Sequence, residues 1–160
     1  LNLPSKRVSL SLVAIALVAA ATVAFFVTKG PGYEIRPGAE AGDAQCRRIT
    51  GSAPGELAGQ PRHSTGSPGV VVWGDRDIVL RCGIPGLGPT TDPCFAVDGI
   101  DWVIDSARSD RTKKVIISYG RAPATEVTFA RPMDTLDAAL IDLSALIAPI
   151  QQTERCVESN

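Results

Sequence analysis

The chain has 160 residues, 44% hydrophobic and 21% charged, with a formal net charge of -1 and a single His. That length holds one globular domain plus a short appendage, and that hydrophobic content excludes a disordered chain. A near-zero charge gives no global electrostatic reason to bind nucleic acid, so no DNA or RNA partner is expected; with one His and no dense ligand cluster, no cofactor or metal is expected either.

Lys6 and Arg7 precede an apolar run from Val8 to Val27, interrupted only by Ser9, Ser11 and Thr22 and followed by Lys29-Gly30-Pro31-Gly32. About 20 residues at a rise of ~1.5 Å each match the hydrocarbon thickness of a bilayer. The pattern predicts a cytoplasmic tail at 1–7, a transmembrane helix at 8–28 with the lipid bilayer as its partner, a linker at 29–42 and an extracytoplasmic domain at 43–160. Lys6 and Arg7 outnumber the lone Lys29, which keeps the amino-terminal side in the cytoplasm. The alternative is a cleaved secretory signal, with Ala19-Ala20-Ala21 or Thr22-Val23-Ala24 as its small-residue site. Against it, the apolar run exceeds the usual signal core and continues through Phe25, Phe26 and Val27. Either way the folded part faces an extracytoplasmic compartment.

Ala41 to Ile49 reads as a short helix carrying Cys46, ended by Thr50-Gly51-Ser52-Ala53-Pro54, and Gly55 to Gly69 as a surface loop. Strand signals follow at Val70–Trp73, Ile78–Cys82, Phe95–Val97, Ile100–Ile104, Val115–Tyr119 and Thr125–Phe129. Asp98-Gly99 favours the positive torsions of a two-residue hairpin turn, so its flanking strands pair antiparallel. Leu136, Ala139, Leu140, Leu143, Leu146, Ile147 and Ile150 then recur at helical spacing, with Asp134 or Thr135 available as a cap. The expected fold is α+β: an antiparallel sheet of about five or six strands packed on one or two helices, preceded by a single transmembrane helix.

All four cysteines, Cys46, Cys82, Cys94 and Cys156, lie beyond the apolar run, and their even number suits two disulfides in an oxidising compartment. Three pairings are possible. Cys46 with Cys82 and Cys94 with Cys156 is preferred, because the second link ties down a polar carboxy terminus that has no other reason to dock. No two lie at the spacing of zinc-ligand pairs.

The segment Trp73-Gly74-Asp75-Arg76-Asp77-Ile78-Val79-Leu80-Arg81-Cys82-Gly83-Ile84-Pro85 resembles the signature of an actinobacterial family catalogued as domain of unknown function 3515. The single amino-terminal span, Cys46 in a short helix, Gly99-Ile100-Asp101-Trp102 and Glu126-Val127-Thr128 agree with it, over about residues 40–147. The resemblance implies a membrane-anchored cell-envelope protein with no enzymatic activity to carry onto these positions. It also supports pairing Cys46 with Cys82, while Cys94 and Cys156 look like an addition. Association suggests an accessory subunit of a respiratory or envelope-building complex.

Chemistry is sparse. His63 with Ser64 and Ser67 is the only material for a Ser-His-Asp set, without a nucleophile elbow. Asp75, Asp77, Asp92, Asp98, Asp101 and Asp105 form no calcium loop; turns account for Asp75 and Asp98, and a solvent-facing alternation for Asp101 and Asp105. Asp75 with Arg76 and Arg81 is the expected ion pair of the signature segment. Gly83 to Pro93 lacks the ending of a phosphate loop. Trp73 and Trp102 are ordinarily core residues and are the candidates for a partner-facing surface. The expected role is therefore noncatalytic: an accessory or stabilising subunit of a larger membrane complex. The alternatives are an envelope ligand-binding module using the Gly83 to Pro93 loop and, behind it, an envelope hydrolase using His63.

Overall fold

The computed structural model describes residues 34–130 and 136–157. The expected tail, transmembrane helix and cap residues Asp134 and Thr135 lie outside the described residues, among which no helix is long and apolar enough to cross a membrane.

Helix α1 (Ala44–Ser52) begins at Asp43, whose carboxylate accepts a hydrogen bond from the Gln45 N–H at 2.7 Å, satisfying one of the donors that a helix start leaves unpaired. It buries Cys46 and Ile49 and stops before Ala53-Pro54, where proline disfavours helical torsions in the residue before it. Helix α2 (Leu136–Ile147) buries Ala139, Leu140, Leu143 and Ile147, the face set by the spacing of its apolar residues.

Eight strands form one antiparallel sheet: β1 (Glu56–Leu57), β2 (Gln60–His63), β3 (Val70–Trp73), β4 (Ile78–Ile84), β5 (Cys94–Val97), β6 (Ile100–Ile104), β7 (Lys114–Ser118) and β8 (Ala124–Phe129), in the order β1-β2-β3-β4-β8-β7-β6-β5. Two meanders thus meet where β4 pairs with β8, and the Pro85–Pro93 connection carries the chain from the centre to the far edge. The sheet is larger than the expected five or six strands because Gly55–Gly69 is not all loop. Ala58 and Gly59, both at positive φ, turn a hairpin that pairs Leu57 with Gln60. Ala-Gly is a weak turn signal and the hairpin has one buried apolar residue, Leu57, so periodicity alone did not reveal it. Its β2 half lets Arg62 donate to Thr50 O (2.6 Å) and Ala53 O (2.8 Å), pairing carbonyls at the end of α1. Asp98 and Gly99 do form the expected turn, with φ of 47° and 76°.

Period-2 alternation sorts the strands into two faces. Trp73, Ile78, Leu80, Cys82, Trp102, Ile116, Val127 and Phe129 join Cys46, Ile49, Leu140, Leu143 and Ile147 in the main core between sheet and helices. The opposite face is held by both ends of the domain. The segment expected as a spacer is, from Arg36 onward, docked on the sheet: Glu40 N–H donates to Gly83 O at 2.9 Å, and Ala41 is buried. This close approach needs Gly83, which sits at φ 88° in a bulge of β4; a Cβ there would collide with the backbone of Glu40 and Ala41.

Gly83→Ala is expected to lower stability by at least about 1 kcal/mol, through both the positive φ and the collision. Gly51→Ala, in helix α1 with nothing within 4 Å, is expected to leave stability unchanged or raise it. Denaturant midpoints of the two variants test the docking of residues 36–41, a strap across the sheet.

Candidate functional site

One ionic network lies on the sheet face away from the helices. Arg81 of β4 and Glu126 of β8 are register partners, so both side chains project from that face. Glu126 is only 4% exposed, which makes its pairing obligatory. Its Oε1 accepts from Arg81 Nη1 at 2.8 Å and its Oε2 from Arg108 Nη1 at 2.6 Å, while Arg108 Nε reaches Asp105 Oδ2 at 2.6 Å. Arg81 Nε donates to Arg36 O at 2.9 Å, tying the network to the strap. Two guanidinium groups thus face two carboxylates with no charge left over for a ligand. Partial burial works against ionisation of Asp105, but hydrogen bonds and the charge of Arg108 outweigh it and hold the carboxyl below its ordinary value. For Arg108, burial is likewise outweighed by Asp105 and Glu126, and its pKa is raised.

A second constellation fastens the carboxy-terminal segment. Asp101 Oδ2 accepts from Gln152 Nε2 at 2.8 Å and from the Cys156 N–H at 2.9 Å, and Thr153 N–H donates to Gly120 O at 2.7 Å. Arg121 donates to the Ile150 carbonyl and to Gln152 Oε1. Burial lowers the Arg121 pKa, with Asp101 opposing the shift and Arg155 adding to it. Cys94 and Cys156 are bonded with Cα atoms 6.0 Å apart, and Cys46 and Cys82 with Cα atoms 5.3 Å apart. Both separations suit disulfides, and the pairing is the one preferred from the sequence. The first link is fully buried between α1 and β4; the second is partly exposed.

Between this carboxy-terminal segment and Pro89–Pro93 lies a cleft of about 480 Å³, with Asp92, Val103, Tyr119, Arg155 and Val157 among its walls. The Tyr119 hydroxyl has its pKa raised by desolvation and by Glu154. A second cleft, of about 530 Å³, brings His63 near Ser64, Thr65 and Ser67. Thr65 there accepts from the Ser67 N–H at 3.1 Å, and Arg62 is committed to the end of α1.

Several expectations are corrected. Trp73 and Trp102 face no partner: both are fully buried, and their indole N–H groups donate to Pro54 O and Ser144 Oγ, each at 3.0 Å. They occupy the helix-facing side of a sheet covered by α1 and α2, which leaves them no solvent-accessible surface. Arg81 pairs with Glu126 rather than with Asp75, which is exposed in the β3–β4 turn. Asp101 is not on a solvent face but 8% exposed beneath the carboxy-terminal segment. Among the described residues, no group of three or more His, Cys, Asp or Glu could hold a metal ion. Sequence reasoning missed Arg121, Gln152 and Ser144, and met Glu126 only as part of the family resemblance, without its ionic role. Glu126 alone carried a signal, as an acid in the β-branched run Thr125–Phe129.

A family model described as a protein of unknown function (DUF3515) matches residues 7–155. No curated protein and no solved structure matches the chain.

Arg81→Ala leaves the buried Glu126 paired with Arg108 but strips its Oε1 of a charged donor, so it is expected to cost about 1 to 3 kcal/mol. Arg108→Ala is expected to cost less, since its side chain is 45% exposed against 24% for Arg81; thermal or denaturant melts rank the two. For Asp105 the folded pKa lies below the ordinary 3.8, so on acidification the unfolded chain takes up its proton first. Its stabilisation is therefore present above 3.8 and is lost as pH falls through the folded value. Stability measured from pH 7 downward should decline in that acid window, and Asp105→Asn should flatten part of the decline.

Proposed function

The chain belongs to the DUF3515 family, and we propose that it is a single-pass membrane-anchored protein whose extracytoplasmic domain is a noncatalytic accessory or stabilising subunit of a larger membrane complex. The address is supported by the apolar run Val8–Val27 and by two disulfides in the domain that follows it. The observation that carries the role is the state of the buried ionic groups. Glu126, Asp101 and Arg121 are each engaged inside the domain, stiffening it and fixing its termini rather than converging on a common reacting atom. Catalysis needs groups held ready for substrate; these serve the fold.

A ligand-binding module is the second reading, favoured by the cleft of about 480 Å³ that the Pro89–Pro93 segment forms with Val103 and Tyr119.

Extraction of the full chain from its native membrane in mild detergent is expected to recover it in a larger assembly, with one or more other proteins in fixed stoichiometry. Recovery as a lone monomer across several mild detergents would overturn the subunit role. A carboxy-terminal reporter active only in the cytoplasm would overturn the address.

A further inference from the structure

Main-chain hydrogen-bonding capacity is left over at the β5 edge of the sheet. In the β5–β6 hairpin Val97 faces Ile100 and Phe95 faces Trp102, and Ile104 N–H donates to Pro93 O at 2.9 Å. Hydrogen-bonded pairs in an antiparallel ladder recur at every second residue, so Pro93, Phe95 and Val97 turn their main-chain groups to β6. Cys94 and Ala96 turn theirs outward, where no described residue bonds them. Edge strands are usually blunted by lysine, proline, a bulge or a covering segment. β5 has none of the first three within Cys94–Val97, and Ala96 is exposed.

Charge decides what fits there. Asp92 and Asp98 bracket the strand, Asp98 exposed in the turn and Asp92 partly so. If a second copy added its β5 in the antiparallel register that sets Cys94 opposite Ala96, each Asp92 would fall opposite the other copy's Asp98. Two like-charge pairs oppose that dimer. A foreign strand with lysine or arginine at those positions meets the opposite charge instead, and its side chains on that face lie beside the Pro89–Pro93 cleft. Arg155, across the cleft from this edge segment, is the one cation among its walls.

We propose that the outer edge of β5 is a strand-addition site for an extended, uncharged run of a partner protein flanked on both sides by basic residues. The proposal rests on the accessory-subunit reading for its partner and deepens it by naming the surface.

The test uses the full chain in detergent micelles and a peptide of alternating threonine and valine with lysine at both ends. Two controls accompany it, one with glutamate ends and one N-methylated at alternate amides. The lysine peptide is expected to bind saturably and to slow amide exchange at Cys94 and Ala96. Glutamate ends, or Asp92→Asn with Asp98→Asn, should weaken it about tenfold, and N-methylation should abolish binding. Unchanged exchange at Cys94 and Ala96, or binding indifferent to N-methylation, would overturn the site. Ala96→Pro removes the outward N–H while sparing the ladder to β6. A native membrane assembly that survives Ala96→Pro intact overturns this edge and leaves the subunit role standing. If no assembly exists at all, the subunit role fails while the peptide experiment still decides the edge.

Discussion

The pairing of β4 with β8 is the constraint from which the remaining architecture follows. Each strand ends a meander of four, so this one ladder joins the two halves into a continuous sheet. Both of its faces carry a specific lock. On one, Cys82 of β4 is bonded to Cys46, which holds α1 against the sheet. On the other, Arg81 lies opposite Glu126 and the pair extends to Arg108 and Asp105. A slip of one residue in this register would carry every side chain of one strand to the wrong face. It would part Arg81 from Glu126, turn Cys82 away from α1 and expose Leu80 or Val127. Burial, charge pairing and the covalent bond all specify one alignment.

The sheet's own logic explains how much of it could be read in advance. Runs of β-branched residues disclosed six of the strands, Asp98-Gly99 disclosed one hairpin, and the three-four spacing from Leu136 to Ile150 disclosed the long helix and its inner face. Those signals are local, and each element carries its own. The β1–β2 hairpin did not, because a turn of Ala58 and Gly59 flanked by Glu56, Gln60 and Arg62 looks like loop until Leu57 finds the core. Pairings between distant segments were less legible still. Arg81 and Glu126 are separated by 45 positions, and nothing in either neighbourhood names the other. Asp101 alternated with apolar residues as a surface residue does. It became buried only because the carboxy-terminal segment returned across it, and that return is encoded in Gly120, Gln152 and Cys156, not in β6.

Small domains have limited apolar area, and the polar groups here compensate by fastening loose chain to the sheet. Arg62 holds the end of α1, Arg81 the strap, and Arg121 with Asp101 the carboxy-terminal segment. Arg62 and Arg81, on strands, and Arg121, between β7 and β8, donate to main-chain carbonyls that would otherwise be costly to leave unpaired. The indole N–H of Trp73 does the same inside the core, at Pro54 O, while that of Trp102 bonds the Ser144 hydroxyl.

The strap also determines how the domain bears mechanical load. Chain entering at Arg36 meets the central strand at Gly83 within a few residues and becomes covalently joined to that strand at Cys46. Tension from the amino-terminal side therefore enters the middle of the sheet, where it must shear long neighbouring ladders, instead of peeling strands one by one from a margin. The helix, the linkage and the middle strand form a short tether.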